Sequence, residues 1–354
     1  MLGAASRILN AGGPELKGRL VAIYVALIGA NILVWLWAFS VLREHPLLLG
    51  TALLAYSFGM RHAVDADHIA AIDNVTRKLM QQGQRPVGVG LFFSLGHAGV
   101  VCVMSLAVCF AASAMTSRFD SMKAVGSIVS TSASALFLFA LAAINIVVLV
   151  GVYRTFKAVK RGEPFVPDDF DLLLNSRGLL SRIFRPLFGL VTKSWHLLLI
   201  GMLFGLGFDT ATEVALFGIS SSQAANGISV GTIMVFPALF TVGMSLIDTT
   251  DGILMLGAYG WAFDKPIRKL YYNMTITAVS VVVAVLIGGI ETLGLIAGRF
   301  KLEGQFWGLI GTLNENFGLL GYLIIGVFIL SWLASVAIYR MKRYDELEVR
   351  VIAA

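Results

Sequence analysis

Charge is scarce in this chain. Only 14% of its 354 residues are Asp, Glu, Lys or Arg, while 57% are hydrophobic and the mean hydropathy is +0.83. Soluble domains carry about 25% charged residues, so this composition excludes an ordinary soluble protein and points to a bilayer as solvent. Cysteine is nearly absent. Cys102 and Cys109 sit inside one apolar stretch, which excludes a disulfide framework and leaves small buried hydrophobes as their reading. No G-x-x-x-x-G-K-[ST] phosphate loop is present, so the chain carries no ATPase of its own and implies no ATPase subunit. H-E-x-x-H is missing as well, removing a common hydrolase signature. The isoelectric point near 9.4 does not indicate nucleic acid, because the basic residues form no stripe; the anionic inner leaflet accounts for them. The first apolar run is too long for a signal peptide and lacks a small-residue cleavage site, so it reads as a retained helix.

Long apolar runs fill the rest. Spans of about 20 residues fall at roughly 20–42, 48–76, 87–115, 124–153, 195–220, 228–258, 272–297 and 317–339, the second, fifth and sixth interrupted by polar residues. Cytoplasmic segments carry the Lys/Arg excess. With the N-terminus inside, the inner segments hold 21 basic residues, the outer ones 5, and Arg61 alone stands beside the second span's polar motif. The expectation is an all-α polytopic membrane protein of eight helices with both termini cytoplasmic. Residues 1–153 form an N-terminal four-helix half, 154–194 a basic cytoplasmic loop, and 195–354 a C-terminal four-helix half.

Against this background one motif stands out. Arg61-His62-Ala63-Val64-Asp65-Ala66-Asp67-His68-Ile69 packs two imidazoles, two carboxylates and a guanidinium into nine residues of an apolar segment. An Asp, Lys or Arg at the centre of a membrane helix costs roughly 2.5–3.5 kcal/mol, so such a cluster requires mutual pairing or a polar cavity. On a regular helix, Arg61, His62, Asp65, His68 and Asp73 share a sector of about 140°, whereas Asp67 points nearly opposite. Either Asp67 meets a second polar partner, or the helix is broken near Gly59, the reading we favour.

Other spans add to the cluster. The third contributes His97, the fifth Asp209 and Glu213 four residues apart, and the sixth Asp248 and Asp251 three apart, so each acidic pair shares a helix face. The halves also echo each other. Phe58-Gly59 parallels Phe204-Gly205, and Ser94-Leu95-Gly96-His97 parallels Ser245-Leu246-Ile247-Asp248, the mark of an inverted repeat with a site near mid-membrane. Imidazole with carboxylate suits a borderline divalent transition metal; nickel or cobalt fits, and zinc and manganese stay open. A buried ion-pair network is the bland alternative, outweighed by an acid excess that a bound cation would neutralise. Arg61 reads as the partner of Asp65, Asp73 or a carboxylate of the second half. Asn145 reads as an interhelical hydrogen-bonding group, and Glu291 as a solvated residue near the outer end of span seven.

These residues carry a resemblance. His62-Ala63-Val64-Asp65-Ala66-Asp67-His68-Ile69 resembles the H-x4-D-H-I signature of the nickel/cobalt permeases, the NiCoT family. Phe93-Ser94-Leu95-Gly96-His97, Leu206 to Glu213 and Gly243 to Gly252 resemble three further family motifs in order and location. The resemblance implies high-affinity uptake of nickel(II) or cobalt(II) across a bacterial cytoplasmic membrane by a multi-pass permease with no enzymatic activity and no resident cofactor. It implies His62, Asp67 and His68 as critical residues, with His97, Asp209, Thr210, Glu213, Asp248 and Asp251 at the other motif positions; Asp65 joins them as a charge-balancing carboxylate. The expected partners are the metal ion and the lipid bilayer. One departure is visible: Gly96-His97 continues Ala98-Gly99 where the family commonly has Ser-Thr, so two hydroxyls that would support the imidazole are missing. Other readings from the residues alone are an intramembrane metalloenzyme and a carrier for another divalent cation. A secondary carrier needs no further energy source. Each charge crossing about 100 mV gains roughly 2.3 kcal/mol, so a divalent cation gains about 4.6, enough for more than a thousandfold accumulation at about 1.4 kcal/mol per decade.

Overall fold

Whether a span is straight or broken is decided here by where backbone groups find partners, since hydrocarbon offers none. A computed structural model of the chain describes residues 13–111, 116–163, 191–206, 211–262, 266–342 and 344. Every regular element among them is helical. In order these are α1 (Gly13–Leu42), α2 (Leu47–His62), α3 (Ala66–Gln81), α4 (Val89–Ala111) and α5 (Thr116–Lys160). After a 3-10 turn at Ser194–His196 come α6 (Leu197–Phe204), α7 (Ala211–Ala225), α8 (Val230–Ile233), α9 (Val235–Ala262), α10 (Pro266–Phe300), α11 (Gln305–Glu315) and α12 (Phe317–Met341).

Among the described residues six helical stretches are long and apolar enough to cross a membrane, and the pair α2 and α3, bent by 50°, makes up to seven. The protein is therefore a multi-pass membrane protein. The expected fifth span corresponds to α6 and α7, two short helices on either side of residues 207–210. Most of the expected 154–194 loop lies outside the described residues, and α5 continues as far as Lys160.

The helices differ in what they bury. α1 turns Val25, Ile28, Leu33 and Leu36 outward, a lipid-facing surface. α3 is the opposite case. Its sequence is polar, yet thirteen of its sixteen residues are buried, so its polar groups are enclosed by protein rather than lipid. Neighbours on every side do this: α9, α10, α12, α5 and α4 all pack on α3. Arg77 and Lys78, expected in an inner loop, lie instead within α3 and are buried. The guanidinium donates to Asn74 Oδ1 at 2.9 Å and Thr277 Oγ1 at 3.0 Å, and Asn145 Nδ2 joins the same Asn74 oxygen at 2.6 Å. Asn145 thus bridges helices as expected. Glu291 differs from the sequence expectation. It is buried, and Ser134 Oγ lies 2.8 and 2.9 Å from its two carboxylate oxygens, a contact between α5 and α10 that no local pattern reveals.

Close backbone approach knits the interior. A Cβ added at Gly96 in α4 would strike the Leu198 carbonyl of α6, and one at Gly201 in α6 would strike the Phe93 carbonyl of α4. α2 and α9 interlock in the same way, Gly59 against the Phe240 carbonyl and Gly243 against that of Tyr56. Small residues of this kind let membrane helices gain van der Waals contact that lipid cannot match. Gly59 therefore serves packing inside a regular helix.

The break expected near Gly59 lies a turn later, at Ala63–Asp65. There Val64 N–H bonds the Arg61 carbonyl at 3.1 Å and Asp65 N–H that of His62 at 2.9 Å, tightening the turn before Asp65 becomes extended (φ −65°, ψ 147°). The Val64 carbonyl emerges against Gly321 of α12, where any side chain would collide with it.

Gly201→Ala should lower stability by about 1–3 kcal/mol through overpacking, whereas Gly29→Ala, with open space at its Cβ, should leave it within error. Thermal unfolding of the detergent-purified variants checks this; equal midpoints would contradict the α4–α6 contact.

Candidate metal centre

The break in the second span determines the geometry of the centre. On a continuous helix His62 and His68 would sit about 120° apart; with the turn between them their ring centroids are 4.7 Å apart. His97, from the middle of α4, completes the cluster at 4.7 Å from the His62 ring and 5.0 Å from that of His68. One ligand nitrogen from each of the three lies within 4.8 Å of the others, and all three side chains are buried. Phe93 stands edge-on to His68 and Phe240 covers His62, giving the site apolar walls.

Each imidazole has a carboxylate neighbour, and for His62 and His68 that neighbour holds Nδ1 and fixes the ring. His62 Nδ1–H donates to Asp65 Oδ2 at 2.9 Å, with Thr212 Oγ1 3.3 Å from the same nitrogen, so its Nε2 points inward as a lone pair. His68 Nδ1–H is shared between the two oxygens of Asp248, both at 3.3 Å, and its Nε2 is buried with no hydrogen-bond partner. His97 Nε2 lies 2.9 Å from His62 Nε2 and 3.0 Å from Glu213 Oε1. The nitrogen of His97 without a hydrogen-bond partner is Nδ1, and Gly99, one of the two positions that depart from the family pattern, opens onto free space rather than onto the ring.

This arrangement matches metal-ligand chemistry. Ligating histidines typically donate their second nitrogen to a carboxylate that fixes the ring, as Asp65 and Asp248 do. Two imidazole bonds of about 2.0–2.1 Å at a right angle place their nitrogens about 2.9 Å apart, the separation of His62 Nε2 and His97 Nε2. Imidazole nitrogens with carboxylate oxygens suit borderline divalent ions such as Ni(II). The centre can hold a borderline divalent cation among buried imidazoles, with nearby acids to balance its charge.

The expected residues divide into groups. His62, His68, His97 and Glu213 converge, with Asp65 and Asp248 directly behind two of the rings. Asp67 stands in the first turn of α3, accepting the His68 backbone N–H at 3.0 Å and lying within coulombic reach of His62. Asp251 lies one turn beyond Asp248 along α9, away from the imidazoles. Asp209 and Thr210 fall outside the described residues. Arg61 does reach toward Asp65, at 3.5 Å, but its side chain is 40% exposed, so it borders the centre without being enclosed by it. Thr212, Phe93, Phe240 and the Ser94–Ser245 hydrogen bond (3.1 Å) went unassigned in the sequence reading. Thr212 and Phe93 lie inside motifs already noted, while Phe240 carries no signal separating it from core.

Fold and centre together define a class: a multi-pass helical membrane protein with a buried histidine–carboxylate cluster able to hold a cation. Comparison with known proteins narrows this. The NicO family, described as high-affinity nickel-transport protein, matches residues 48–338, and the chain belongs to it. It is 58% identical to a high-affinity nickel transport protein of Cupriavidus necator over 98% of both chains. It is 48% identical to the hydrogenase nickel incorporation protein HupN of Bradyrhizobium diazoefficiens, covering 95% of this chain and 86% of the relative. Identity to the cobalt transport protein NhlF of Rhodococcus rhodochrous is 39%, over 83% and 84% of the two chains. No solved structure matches the chain.

Asp65→Asn and Asp248→Asn remove the charge behind His62 and His68 while keeping their shape. Each should weaken nickel binding by about 10- to 100-fold, read by calorimetry on purified protein; unchanged affinity in both would contradict their orienting role.

Proposed function

We propose that this protein takes up nickel(II), and cobalt(II) as an alternative substrate, across a bacterial cytoplasmic membrane as a secondary carrier. The observation that carries this reading is the convergence of three buried imidazoles, two of them oriented by a carboxylate, at the break of a membrane helix. Membership of the NicO family supports a transporter rather than an enzyme, and the names of the nickel and cobalt relatives support the choice of metals.

In this reading the hydrated ion exchanges water for His62, His68 and His97 with Glu213 as the oxygen ligand. Asp65, Asp67 and Asp248 offset its charge, and Asp209 and Thr210, from the motif that holds Glu213, complete the ligand set as it enters. Eight spans with both termini inside fit the excess of basic residues in the inner segments, which persists with Arg77 and Lys78 assigned to α3. Binding next to a broken helix follows a general transporter pattern, in which freed backbone and helix ends face the substrate.

The two halves act as inverted repeats. In the alignment of the two serine motifs, Ser94 and Ser245 are equivalent, and they bond to one another across α4 and α9. Their equivalent neighbours His97 and Asp248 then reach opposite ways, His97 to Glu213 of α7 and Asp248 to His68 of α3. Such crossed pairs are expected around a two-fold axis through the serines, and rocking of one half on the other about that axis gives alternating access.

His62→Ala and His68→Ala should each reduce nickel uptake at nanomolar metal to vector background in cells that insert the protein normally. Excess cobalt should compete with the wild type far better than magnesium. Wild-type uptake by both variants would overturn the ligand assignment.

A further inference from the structure

The C-terminal end of α5 carries charge that neither the metal centre nor the packing uses. α5 is 45 residues long, about 67 Å, more than twice the roughly 30 Å of a bilayer's hydrocarbon core. Its last turns have two faces. Val152, Phe156 and Val159 share a buried cluster with Ile267, Leu270 and Tyr271 of α10 and Tyr339 of α12, and on the same side Asn145 is buried and bonds Asn74 of α3.

The other face is open. On a regular helix Ile146, Val150, Tyr153, Arg154, Lys157 and Lys160 fall within one sector of about 120°, and all six are exposed. Along that stripe the chemistry changes in order. Two aliphatic side chains occupy about 10 Å before the tyrosine, and three bases about 10 Å after it. Among the described residues Arg154, Lys157 and Lys160 form no ion pair; the neighbouring Arg161 pairs with Glu163 at 3.1 Å, and the sequence from Asn145 to Gly162 contains no acid. The helix dipole favours cations within its last turn, where Lys157 and Lys160 lie. Arg154 stands before that turn, so the dipole does not account for it.

We propose that this face of α5 binds an anionic phospholipid, its phosphate held by Arg154 and Lys157 with Lys160 adding charge, and an acyl chain lying along Val150 and Ile146. The stripe has the order of such a molecule: hydrocarbon, an interfacial tyrosine ring, then phosphate, which a guanidinium takes bidentately. A free phosphate would use the bases and leave the aliphatic face without a role, and a zwitterionic lipid brings no net charge to offset three cations. The topology proposed above places this end at the inner leaflet, whose surface is negative. The lipid braces α5 at a fixed depth while the opposite face of the helix holds α3 through Asn145.

Native mass spectrometry of the purified full-length chain in detergent counts bound lipid directly. The wild type should retain one phosphatidylglycerol in preference to phosphatidylethanolamine, and Arg154→Gln/Lys157→Gln should weaken it by about 25-fold, roughly fivefold for each base. Arg299→Gln/Lys301→Gln, which removes two exposed bases at the far end of α10, should leave the affinity unchanged, as should the charge-keeping exchange Arg154→Lys/Lys157→Arg. Excess glycerophosphate at matched ionic strength should not displace the lipid. Equal retention of the two lipids, equal loss in both charge-removing variants, or displacement by glycerophosphate would overturn the lipid site. Nickel binding is measured on the same samples; its absence in the wild type would sink the uptake reading and leave the lipid result standing.

Discussion

An imidazole buried in a membrane helix needs a polar partner that fixes its ring, and most of the interior follows from that demand. His62 and His68 each offer Nδ1 to a carboxylate, Asp65 on the same turn and Asp248 on α9. Those acids are tolerable in hydrocarbon only because they are enclosed and paired. Enclosing them requires the break at Ala63–Asp65, the break requires room for the Val64 carbonyl against Gly321, and holding α4 and α9 near the rings requires the glycine contacts with α6 and α2. The polar helix α3 is at the middle of this chain of dependence, which is why nearly all of it is buried.

The same arrangement leaves ligand atoms poised. Once Nδ1 is committed, Nε2 of His62 and of His68 turns inward, and His97 meets the first at 2.9 Å with Glu213 alongside. Orientation is thus established by the fold before any ion arrives, so little ordering has to accompany binding. His97 differs from the other two rings in that its Nδ1 has no hydrogen-bond partner.

Much of this was legible in the sequence, for identifiable reasons. Apolar runs marked helices long enough to cross a membrane because bilayer thickness acts on composition directly. The motif residues announced themselves because charge in hydrocarbon is costly. Helical geometry showed that Asp67 did not fit a regular helix but not where the helix gives way; Gly59 drew attention although its role is contact with Phe240, and the turn lies at Val64. Glu291 looked solvated because its partner Ser134 is 157 residues distant in sequence. Arg77 and Lys78 looked like loop residues because charge alone cannot tell a cytoplasmic segment from a buried helix end roofed by Asn74 and Thr277. Thr212 lay in view without a role, since only the fold places it at His62.

The central claim is that three imidazoles hold the transported metal directly. X-ray absorption at the nickel edge of purified, nickel-loaded protein tests it with no transport step involved. The account predicts imidazole scattering from three ligands at about 2.0–2.1 Å, reduced in His68→Ala. A spectrum of oxygen ligands alone, or one unchanged by that substitution, would contradict it.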